Sequence, residues 1–447
     1  MKKYIFFVVG VMCTLLSHTA YAIDLNKSDA NIIGHVLEKK TGEHLPYMTV
    51  ALKGTTIGTM TDGTGHYFLK NLPEGEFILS VSAVGYKPQE RKVTLKRGKT
   101  LEENFELEED MVALDGVVVT ANRNETARRL APTLVKVVTP KLFDMTNSHT
   151  LSQGLVFQPG VRVENDCQNC GYSQVRINGM DGKYTQILID SRPIFSALAG
   201  VYGLEQIPAN MIERVEVVRG GGSALFGSSA IAGTVNIITK EPLRNSGSFA
   251  HSISNFDGSG SFDNNTTLNL SLVSSDNKMG AYIYGQNRHR SAWDSNGDSF
   301  SELPKLKNQT VGVNAYYRLS PYSKLNLEYH HMEEFRRGGN RFDLPPHIAE
   351  DANLNGSGEP GLVEQIEHSI NTGGLKFSAF SKDQKHAFNA YASAQHIVRD
   401  SYYSAYGHTT DFTGVLGAQY IYHFDKLFFM PSDLTGGVES VSYTHLR

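Results

Sequence analysis

Cysteine and tryptophan are scarce in this sequence, and their scarcity limits the chemistry that it can support. The 447 residues include 3 Cys and 1 Trp, and Cys13 falls in an apolar leader, which leaves Cys167 and Cys170 in DCQNCG. A structural zinc site needs about four ligands, and no second pair of Cys or His lies nearby. A thioredoxin-like pair of cysteines stands at the start of a helix, whereas the residues around Cys167 and Cys170 are typical of loop and strand. In an oxidising compartment the two cysteines are predicted to form a disulfide.

An excess of charge of either sign is also absent. The formal net charge is -4 at pH 7, and the chain contains no block of basic residues. Proteins that bind nucleic acid concentrate positive charge on one surface, so nucleic acid is not an expected partner.

Long apolar runs are confined to the first 22 residues, MKKYIFFVVGVMCTLLSHTAYA. Two lysines precede the apolar stretch and Ala-Tyr-Ala ends it, so residues 1–22 are predicted to be a secretory signal peptide cleaved between Ala22 and Ile23. The stretch is shorter than the roughly 20 residues that a membrane-spanning helix needs. Met12 stands where lipidation of Cys13 would require a small residue. The protein is therefore expected in the periplasm, the outer membrane or the medium.

A glycine-rich stretch, VEVVRGGGSALFGSSAIAGTVNIITKEP, covers residues 215–242 and invites comparison with phosphate-binding loops. Ser228 stands where the phosphate loop has its lysine, and Leu225 stands where the dinucleotide pattern has its third glycine. Both patterns also need a helix directly after the turn, because its N-terminal amides bind the phosphate. Here the alternating run VNIIT predicts another strand. The glycines are therefore interpreted as a tight turn between strands.

Short strand-like segments separated by TGE, DGTG and LPEG turns make up residues 31–109 and predict a small antiparallel sandwich. The stretches TGEHLPYMTV, GTTIGTMTDGTGHYFL and LPEGEFILSVSAVGY resemble the carboxypeptidase regulatory-like domain, which has a transthyretin-like fold. The segment has no HxxE or HExxH pair of metal ligands. The resemblance therefore implies a binding or spacer module without catalysis.

A linker at residues 110–129 contains the apolar patch DGVVVT, which pattern alone allows to be a buried strand or an exposed segment. An exposed segment could pair edge to edge with the sheet of another protein. The wider stretch DGVVVTANR resembles the TonB box of TonB-dependent outer-membrane transporters. The resemblance implies that TonB binds the following residues: Asp115, Gly116, Val117, Val118, Val119 and Thr120.

Residues 130–242 resemble the plug domain of the same transporters, which implies an α+β fold. The resemblance rests on TLSQGLVFQPGVRVE, SQVRINGMDGKYTQILIDSRPIF and IPANMIERVEVVRGGGSALFGSSAIAGTVNIITKEP. Asn178 and Gly221 depart from the pattern, which usually has Arg and often has Pro at these positions. A regulatory-like domain before such a plug is typical of transporters of the Bacteroidetes group.

After Pro242 the chain alternates apolar and polar residues in segments of strand length, such as TTLNLSLV, TVGVNAYYRL, SKLNLEYHH, GGLKFSAF and GAQYIYHF. This pattern is typical of a transmembrane β-barrel, whose strands face lipid on one side and a polar interior on the other. Residues 243–440 are predicted to supply about eight or nine of the roughly 22 strands of a plugged transporter. The polar stretch from Arg336 to Glu367 is interpreted as an extracellular loop. The protein is thus predicted to be mainly β and integral to the outer membrane, with a transthyretin-like β-sandwich, an α+β plug and an incomplete antiparallel barrel.

The last seven residues, VSYTHLR, are predicted to be a non-native tail. DNA that encodes residues 441–447 resembles the transposon end that is joined to fragments when sequencing libraries are prepared. On this hypothesis the natural sequence stops near Ser440 because the gene was truncated in assembly.

The resemblance also implies a partner and a cargo. The outer membrane has no ATP, so TonB and its inner-membrane energising complex would supply the work of uptake. A ferric siderophore is the first candidate cargo; the alternatives are cobalamin and haem, with His330, His331 and His396 as candidate haem ligands. The candidate contacts for cargo at the plug apex are Asn165, Asp166, Tyr172, Phe195 and Tyr202.

No cofactor is required for such transport, but two acidic stretches have the spacing of calcium loops. In DANLNG the candidate ligands are Asp351, Asn353 and Asn355, although Leu362 stands where the twelfth-position glutamate is expected. DSNGD, at residues 294–298, is a weaker match. An enzyme is not expected, because HHMEE lacks the second histidine of a zinc protease and Gly-x-Ser-x-Gly has no strand-to-helix context. The TonB box argues against a passive adhesin.

Overall fold

The computed structural model describes residues 29–46, 48–83, 85–109, 117–118, 120, 126–127, 135–167, 172–193, 207–222, 226–227, 229–351, 361–383, 385–427 and 430–446. Strands predominate in these ranges and helices are short, which confirms the mainly β fold that the sequence predicted. No helix within them is long and apolar enough to cross a lipid bilayer.

The first unit is a β-sandwich. Its strands are β1 (Ala30–Glu38), β2 (Thr49–Leu52), β3 (Gly58–Met60), β4 (His66–Leu72), β5 (Gly75–Ser82), β6 (Gln89–Leu95), β7 (Thr100–Glu102) and β8 (Phe105–Leu107). One sheet has the order β4-β1-β7, with β8 also paired to β1, and the other has the order β3-β2-β5-β6. Alternate residues along each strand face inward, so Ile32, Val50, Leu69 and Leu79 share one buried core between the sheets.

The second unit combines a mixed sheet with short helices. Its strands are β11 (Val135–Val138), β12 (Val161–Cys167), β13 (Tyr172–Ile177), β14 (Thr185–Ile189), β15 (Arg192–Pro193), β16 (Ile212–Arg219) and β17 (Gly233–Thr239). The sheet has the order β11-β16-β17-β14-β15, and β12 and β13 form a separate hairpin. Its helices are Pro140–Met145, Leu151–Leu155 and the 3-10 turns Gly182–Tyr184 and Ala209–Met211. Pro140 suits the first helical position, where its missing N–H has no partner to lose.

The glycine-rich stretch connects β16 and β17, which are antiparallel neighbours with Arg219 opposite Gly233. Gly220 has a φ of +98° and donates its N–H to the carbonyl of Ala232 at 2.9 Å, so the ladder continues into the turn. A Cβ on Gly233 would collide with the carbonyl oxygen of Val218. These glycines serve the turn and the close approach of two strands, which confirms the interpretation of this stretch as a connection between strands.

Asn178, one of the two departures from the plug pattern, occupies a turn that suits it. Asn178 and Gly179 have φ values of +54° and +79°, and the N–H of Met180 donates to the carbonyl of Ile177 at 3.1 Å. Two consecutive positive φ values favour Asn-Gly in tight turns, because asparagine tolerates the left-handed region better than most residues. An arginine at this position would meet that backbone strain.

A short pair of strands, β9 (Val117–Val118) and β10 (Thr126–Ala127), lies between the two units in the chain and forms its own sheet, and the nine strands after residue 242 form one antiparallel sheet in chain order. They are β18 (Ser246–Asn255), β19 (Phe262–Val273), β20 (Met279–Arg290), β21 (Lys305–Ser320), β22 (Ser323–Gly339), β23 (Val363–Phe380), β24 (His386–Tyr403), β25 (Tyr406–Leu427) and β26 (Met430–Leu446). Connections at one end are short, such as residues 321–322, and those at the other include 291–304 and 340–362. The residues predicted to be a non-native tail fall largely within β26.

The nine-stranded sheet has its polarity reversed relative to a soluble protein. On β19, Leu268, Leu270 and Leu272 are 37–50% exposed, whereas Asn265 and Ser271 between or beside them are buried. The exposed apolar face therefore suits lipid and the opposite face is polar, as the sequence alternation predicted for a membrane barrel. The structural reason is the two-residue period of a strand, which sends successive side chains to opposite faces.

The predicted loop from Arg336 to Glu367 is wrong at both ends. Strand β22 continues to Gly339 and β23 begins at Val363, so only residues 340–362 connect them, and a short helix, Pro346–Ala349, lies within that connection. Arg336 is 1% exposed. Polar residues at the strand ends were interpreted as loop because the inward face of such a sheet is itself polar.

Candidate functional site

The predicted TonB box is attached to the plug sheet at its last residue. Val117–Val118 forms strand β9, which pairs antiparallel with β10 (Thr126–Ala127). Thr120 is 1% exposed, and both its backbone N–H and its hydroxyl donate to Oε2 of Glu216, at 2.8 and 2.6 Å. The other predicted box residues lie outside the described ranges: Asp115, Gly116 and Val119. At Thr120 the segment is therefore buried against the plug.

Glu216 is the centre of this attachment. It is fully buried within the apolar strand β16, and its Oε1 accepts a hydrogen bond from Nε of Arg214 at 2.9 Å. Asn236 lies directly opposite Glu216 on β17, and its Nδ2 donates to the Thr120 hydroxyl at 3.0 Å and to Ser191 at 3.1 Å. The Thr120 hydroxyl thus donates to a carboxylate and accepts from an amide. One threonine satisfies two buried groups of the plug.

The strength of this attachment follows from the three hydrogen bonds of Thr120. A hydrogen bond to a charged group contributes about 1.5–3 kcal/mol net and a neutral one about 0.5–1.5 kcal/mol. Two bonds to the Glu216 carboxylate and one from the Asn236 amide therefore contribute roughly 4–7 kcal/mol together.

The candidate cargo contacts fall on one hairpin where they are described. Asn165 and Asp166 lie on β12, and Tyr172 begins β13, where it is the register partner of Cys167. The register shifts between Asn165 and Cys167, so the hairpin is irregular at this end. The remaining predicted residues of this group lie outside the described ranges: Cys170, Phe195 and Tyr202. The predicted disulfide and the predicted cargo contacts stay predictions.

An ion pair joins the plug to the inner wall of the nine-stranded sheet. Nη2 of Arg192, on β15, lies 2.5 Å from Oε2 of Glu328 on β22, and the two side chains are 5% and 17% exposed. A Cβ on Gly374 of the adjacent strand would collide with Glu328, so this glycine makes room for the pair. Removing one partner of such a pair lowers the stability strongly, because the other charge is left buried without compensation.

Further polar contacts join the plug to the same nine-stranded sheet. The Tyr282 hydroxyl donates to the carbonyl of Asn210 at 2.9 Å, and Nδ2 of Asn210 donates to the carbonyl of Gly285 at 3.1 Å. A cavity of about 40 Å³ lies beside Glu328 at this boundary. A void of this size holds about one to three water molecules.

On another part of the boundary between plug and wall, burial lowers the pKa of His149, whose Nε2 lies 3.2 Å from the Ser252 hydroxyl.

The three candidate haem ligands do not lie together. His330 lines the cavity next to the plug residues Ile189 and Met211, and its Nδ1 lies 3.0 Å from the hydroxyl of Tyr284 on β20. His331 follows it on β22 and so points to the opposite face, with its Nδ1 2.9 Å from Oδ1 of Asn371. His396 is exposed between the buried residues Gln395 and Ile397, which also places it on the outer face. The geometry gives no common site for these histidines.

The weaker of the two calcium-like stretches does gather carboxylates. Oxygen atoms of Asp294, Asp298 and Glu302 all lie within 4.8 Å of one another. Both oxygens of Asp294 already accept backbone N–H groups, from Gly297 and Ser299 at 2.7 Å. In the stronger stretch Asp351 is exposed, and its predicted co-ligands Asn353 and Asn355 lie outside the described ranges. The calcium prediction remains a prediction.

Several of these residues were missed at the level of sequence. Glu216 and Asn236 stand in the runs VEVV and VNII, where one polar residue among apolar ones is a signal of a buried polar contact. Arg192 and Glu328 carry no such signal, because their partners are 136 residues apart and polar residues are ordinary on an inward-facing barrel strand.

Two family descriptions match the chain. The CarboxypepD_reg-like domain matches residues 32–119, and the TonB-dependent Receptor Plug Domain matches residues 127–234. Both resemblances inferred from the sequence are confirmed.

Curated relatives and solved structures agree with these domains. A vitamin B12 transporter of Vibrio vulnificus is 32% identical over 229 residues, which are 44% of this chain and 37% of the relative. A second one, from Photobacterium profundum, is 37% identical over 128 residues, which cover 28% and 20%. The siderophore receptor PirA of Acinetobacter baumannii superposes with a TM-score of 0.59 at 20% identity, over 71% of this chain and 49% of that one. The alcaligin receptor FauA of Bordetella pertussis gives 0.57 at 15% identity, over 74% and 50%. The chain thus spans about half the length of these solved structures and less of the curated relatives.

Proposed function

Because the chain carries a carboxypeptidase regulatory-like domain followed by the plug domain of TonB-dependent receptors, and has their fold, we propose that it imports a scarce, large solute across the bacterial outer membrane. The observation that carries the proposal is the attachment of Thr120 to Glu216 of the plug. It places a β-prone segment on the plug through few bonds, so a change in the plug can release it. The role is transport, and no residue is assigned a catalytic part.

The energy for uptake must come from outside the outer membrane, which has neither ATP nor a sustained ion gradient. In the proposed cycle, cargo binds at the outer side and loosens the contacts of Thr120. TonB then adds a strand to residues 115–120, since backbone hydrogen bonds give affinity to any extended segment with free edges. The pull of TonB, driven through its inner-membrane complex, displaces part of the plug and opens a path along the polar inner wall.

The position of the sandwich supports this orientation. The N–H of Thr56 in the sandwich donates to the carbonyl of Pro321 at 2.9 Å, in the short connection between β21 and β22. Outer-membrane barrels have short turns on the periplasmic side and longer loops outside. The sandwich and the TonB-binding segment would therefore lie in the periplasm, and the connection 340–362 would face the medium.

Two cargos are proposed, in order of preference. A ferric siderophore is the leading candidate, because the hairpin of β12 and β13 offers amide, carboxylate and aromatic groups in Asn165, Asp166 and Tyr172. Cobalamin is the second candidate, because the curated relatives of 32% and 37% identity are vitamin B12 transporters. Calcium bound by the acidic loops would accompany the second candidate.

Uptake by cells that express the intact chromosomal gene tests the proposal. Labelled ferric siderophore, cobalamin and haem are supplied in turn to a host with TonB and to the same host without it. We expect accumulation of one cargo in the first host only, with surface binding of that cargo in both. Equal accumulation in the two hosts would contradict TonB-dependent transport, and the cargo that accumulates decides between the candidates.

A further inference from the structure

Three histidines lie close together on the surface of the β-sandwich, which precedes the plug in the chain. His35 on β1 and His66 on β4 are direct partners across the two strands, and His44 pairs with Leu37 of β1 in an isolated β-bridge. The ring centres of His35 and His44 are 5.3 Å apart, those of His35 and His66 5.8 Å, and those of His44 and His66 4.8 Å. His44 and His66 are exposed and His35 is half-buried. The cluster is therefore open to solutes.

We propose that His35, His44 and His66 form a binding site for a divalent transition-metal ion such as Zn²⁺, Ni²⁺ or Cu²⁺. Imidazole nitrogen is a ligand that suits these ions. With Zn–N bonds of about 2.0–2.1 Å, a tetrahedral ion places the centres of two coordinated imidazole rings roughly 5 Å apart. The three observed ring-centre separations lie around this value, and the donor nitrogens converge on one ion only after the side chains rotate. The planes are tilted by 30–69°, and rotation of the side chains aligns the nitrogens.

Hydrogen bonds select the nitrogen that His66 offers. The Thr64 hydroxyl donates to Oδ1 of Asp62 at 2.7 Å, so it accepts from Nδ1–H of His66 at 3.1 Å. This leaves the lone pair of neutral His66 on Nε2. Oδ1 of Asp62 also accepts the backbone N–H groups of Thr64 and His66, at 2.8 and 3.0 Å, which fixes the turn that carries the Thr64 hydroxyl. Ligating histidines commonly have such a partner on the other nitrogen, which orients the ring and raises its basicity.

The turn before His66 also fits this use. Gly65 has a φ of +77°, and a Cβ there would lie 2.8 Å from Cβ of His44. A side chain at position 65 would thus push His44 away from the cluster. Strand pairing, the Asp62–Thr64 hydrogen bonds and this glycine together position the three rings without any part of the transport machinery, so the inference is independent of the cargo and of TonB.

Metal binding by the purified full chain in detergent tests the site, with an affinity tag that contains no histidine. The chain has 16 histidines, so the measurement is a difference. After chelator treatment, Zn²⁺ is titrated and bound metal is counted for the unmodified chain and for a variant with His35→Gln, His44→Gln and His66→Gln. We expect the variant to bind one ion fewer per chain. His408→Gln, which alters an exposed histidine paired with Asp400, is the matched control and should bind the same number as the unmodified chain.

A second pair of variants separates metal binding from a structural role. Thr64→Val removes the hydroxyl that holds Nδ1 of His66, and we expect Zn²⁺ affinity to fall by about tenfold or more. Thr64→Ser keeps the hydroxyl and should restore affinity. Co²⁺ bound to the unmodified chain should give the visible absorption of a tetrahedral nitrogen site, and the triple variant should lose it while its circular dichroism stays unchanged. Equal Zn²⁺ stoichiometry and affinity in the unmodified chain and the triple variant would overturn the proposal.

Discussion

Val118→Pro is expected to reduce uptake to the level of a host without TonB while cargo binding at the cell surface stays unchanged. Proline has no N–H, so a strand that includes it cannot complete a ladder with the sheet of a partner. Val118 pairs with Thr126 in the two-residue ladder between β9 and β10, so among the described residues the change disrupts this short ladder.

The matched control for this change is Val118→Ile, which keeps the amide and the β-branched side chain. It should transport at the rate of the unmodified protein, because strand addition depends on the backbone more than on side-chain identity. Rates are measured as initial uptake of the labelled cargo at equal surface expression. Full uptake by Val118→Pro would show that residues 115–120 do not pair with TonB as a strand.

Glu328→Ala is expected to loosen the plug from the inner wall, because it leaves Arg192 buried without its partner. Breaking one side of a buried pair costs about 3–5 kcal/mol. Arg192 is also 4.0 Å from Asp190, which offsets part of this loss. Chemical denaturation monitored within the plug, and entry of a large antibiotic that the outer membrane excludes, both report the change.

Two further variants make this prediction specific. Glu241→Ala breaks the pair with Lys324, whose side chains are 40% and 18% exposed, and should cost only about 0–1 kcal/mol. Removing both charges with Arg192→Met and Glu328→Met should recover most of the stability, since neither member of the pair is then left buried without the other. If Glu328→Ala and Glu241→Ala are equally mild, the Arg192 pair does not hold the plug.

The parts of the fold that could be predicted are those with short-range signals. The two-residue alternation at Leu268, Leu270 and Leu272 predicts an outward apolar face, and the turns DGTG and LPEG predict the sandwich. The end of β22 could not be predicted in this way. Its polar residues face a polar interior, so the pattern that marks a strand end in a soluble protein is uninformative there.

The residues of the candidate site also differ in whether a local sequence pattern could predict them. The TonB box is predicted from a local run of β-prone residues, DGVVVT, and stays a prediction. Its partner Glu216 and the amide of Asn236 belong to a strand pair whose closeness to Thr120 depends on the whole plug sheet. The contact of Arg192 with Glu328 depends further on how the plug sits against the wall. No local pattern contains that information.

The claim that residues 115–120 leave the plug and pair with TonB is tested most directly by cross-linking in cells. Val118→Cys is combined with a series of single cysteines along the edge strand of TonB, and Lys92→Cys, exposed on the sandwich, is the control. The account predicts disulfides from position 118 that increase when cargo is added and that form without cargo when Thr120→Val removes the hydroxyl bonds to the plug. Disulfides that are no more frequent at position 118 than at position 92, with or without cargo, would contradict it.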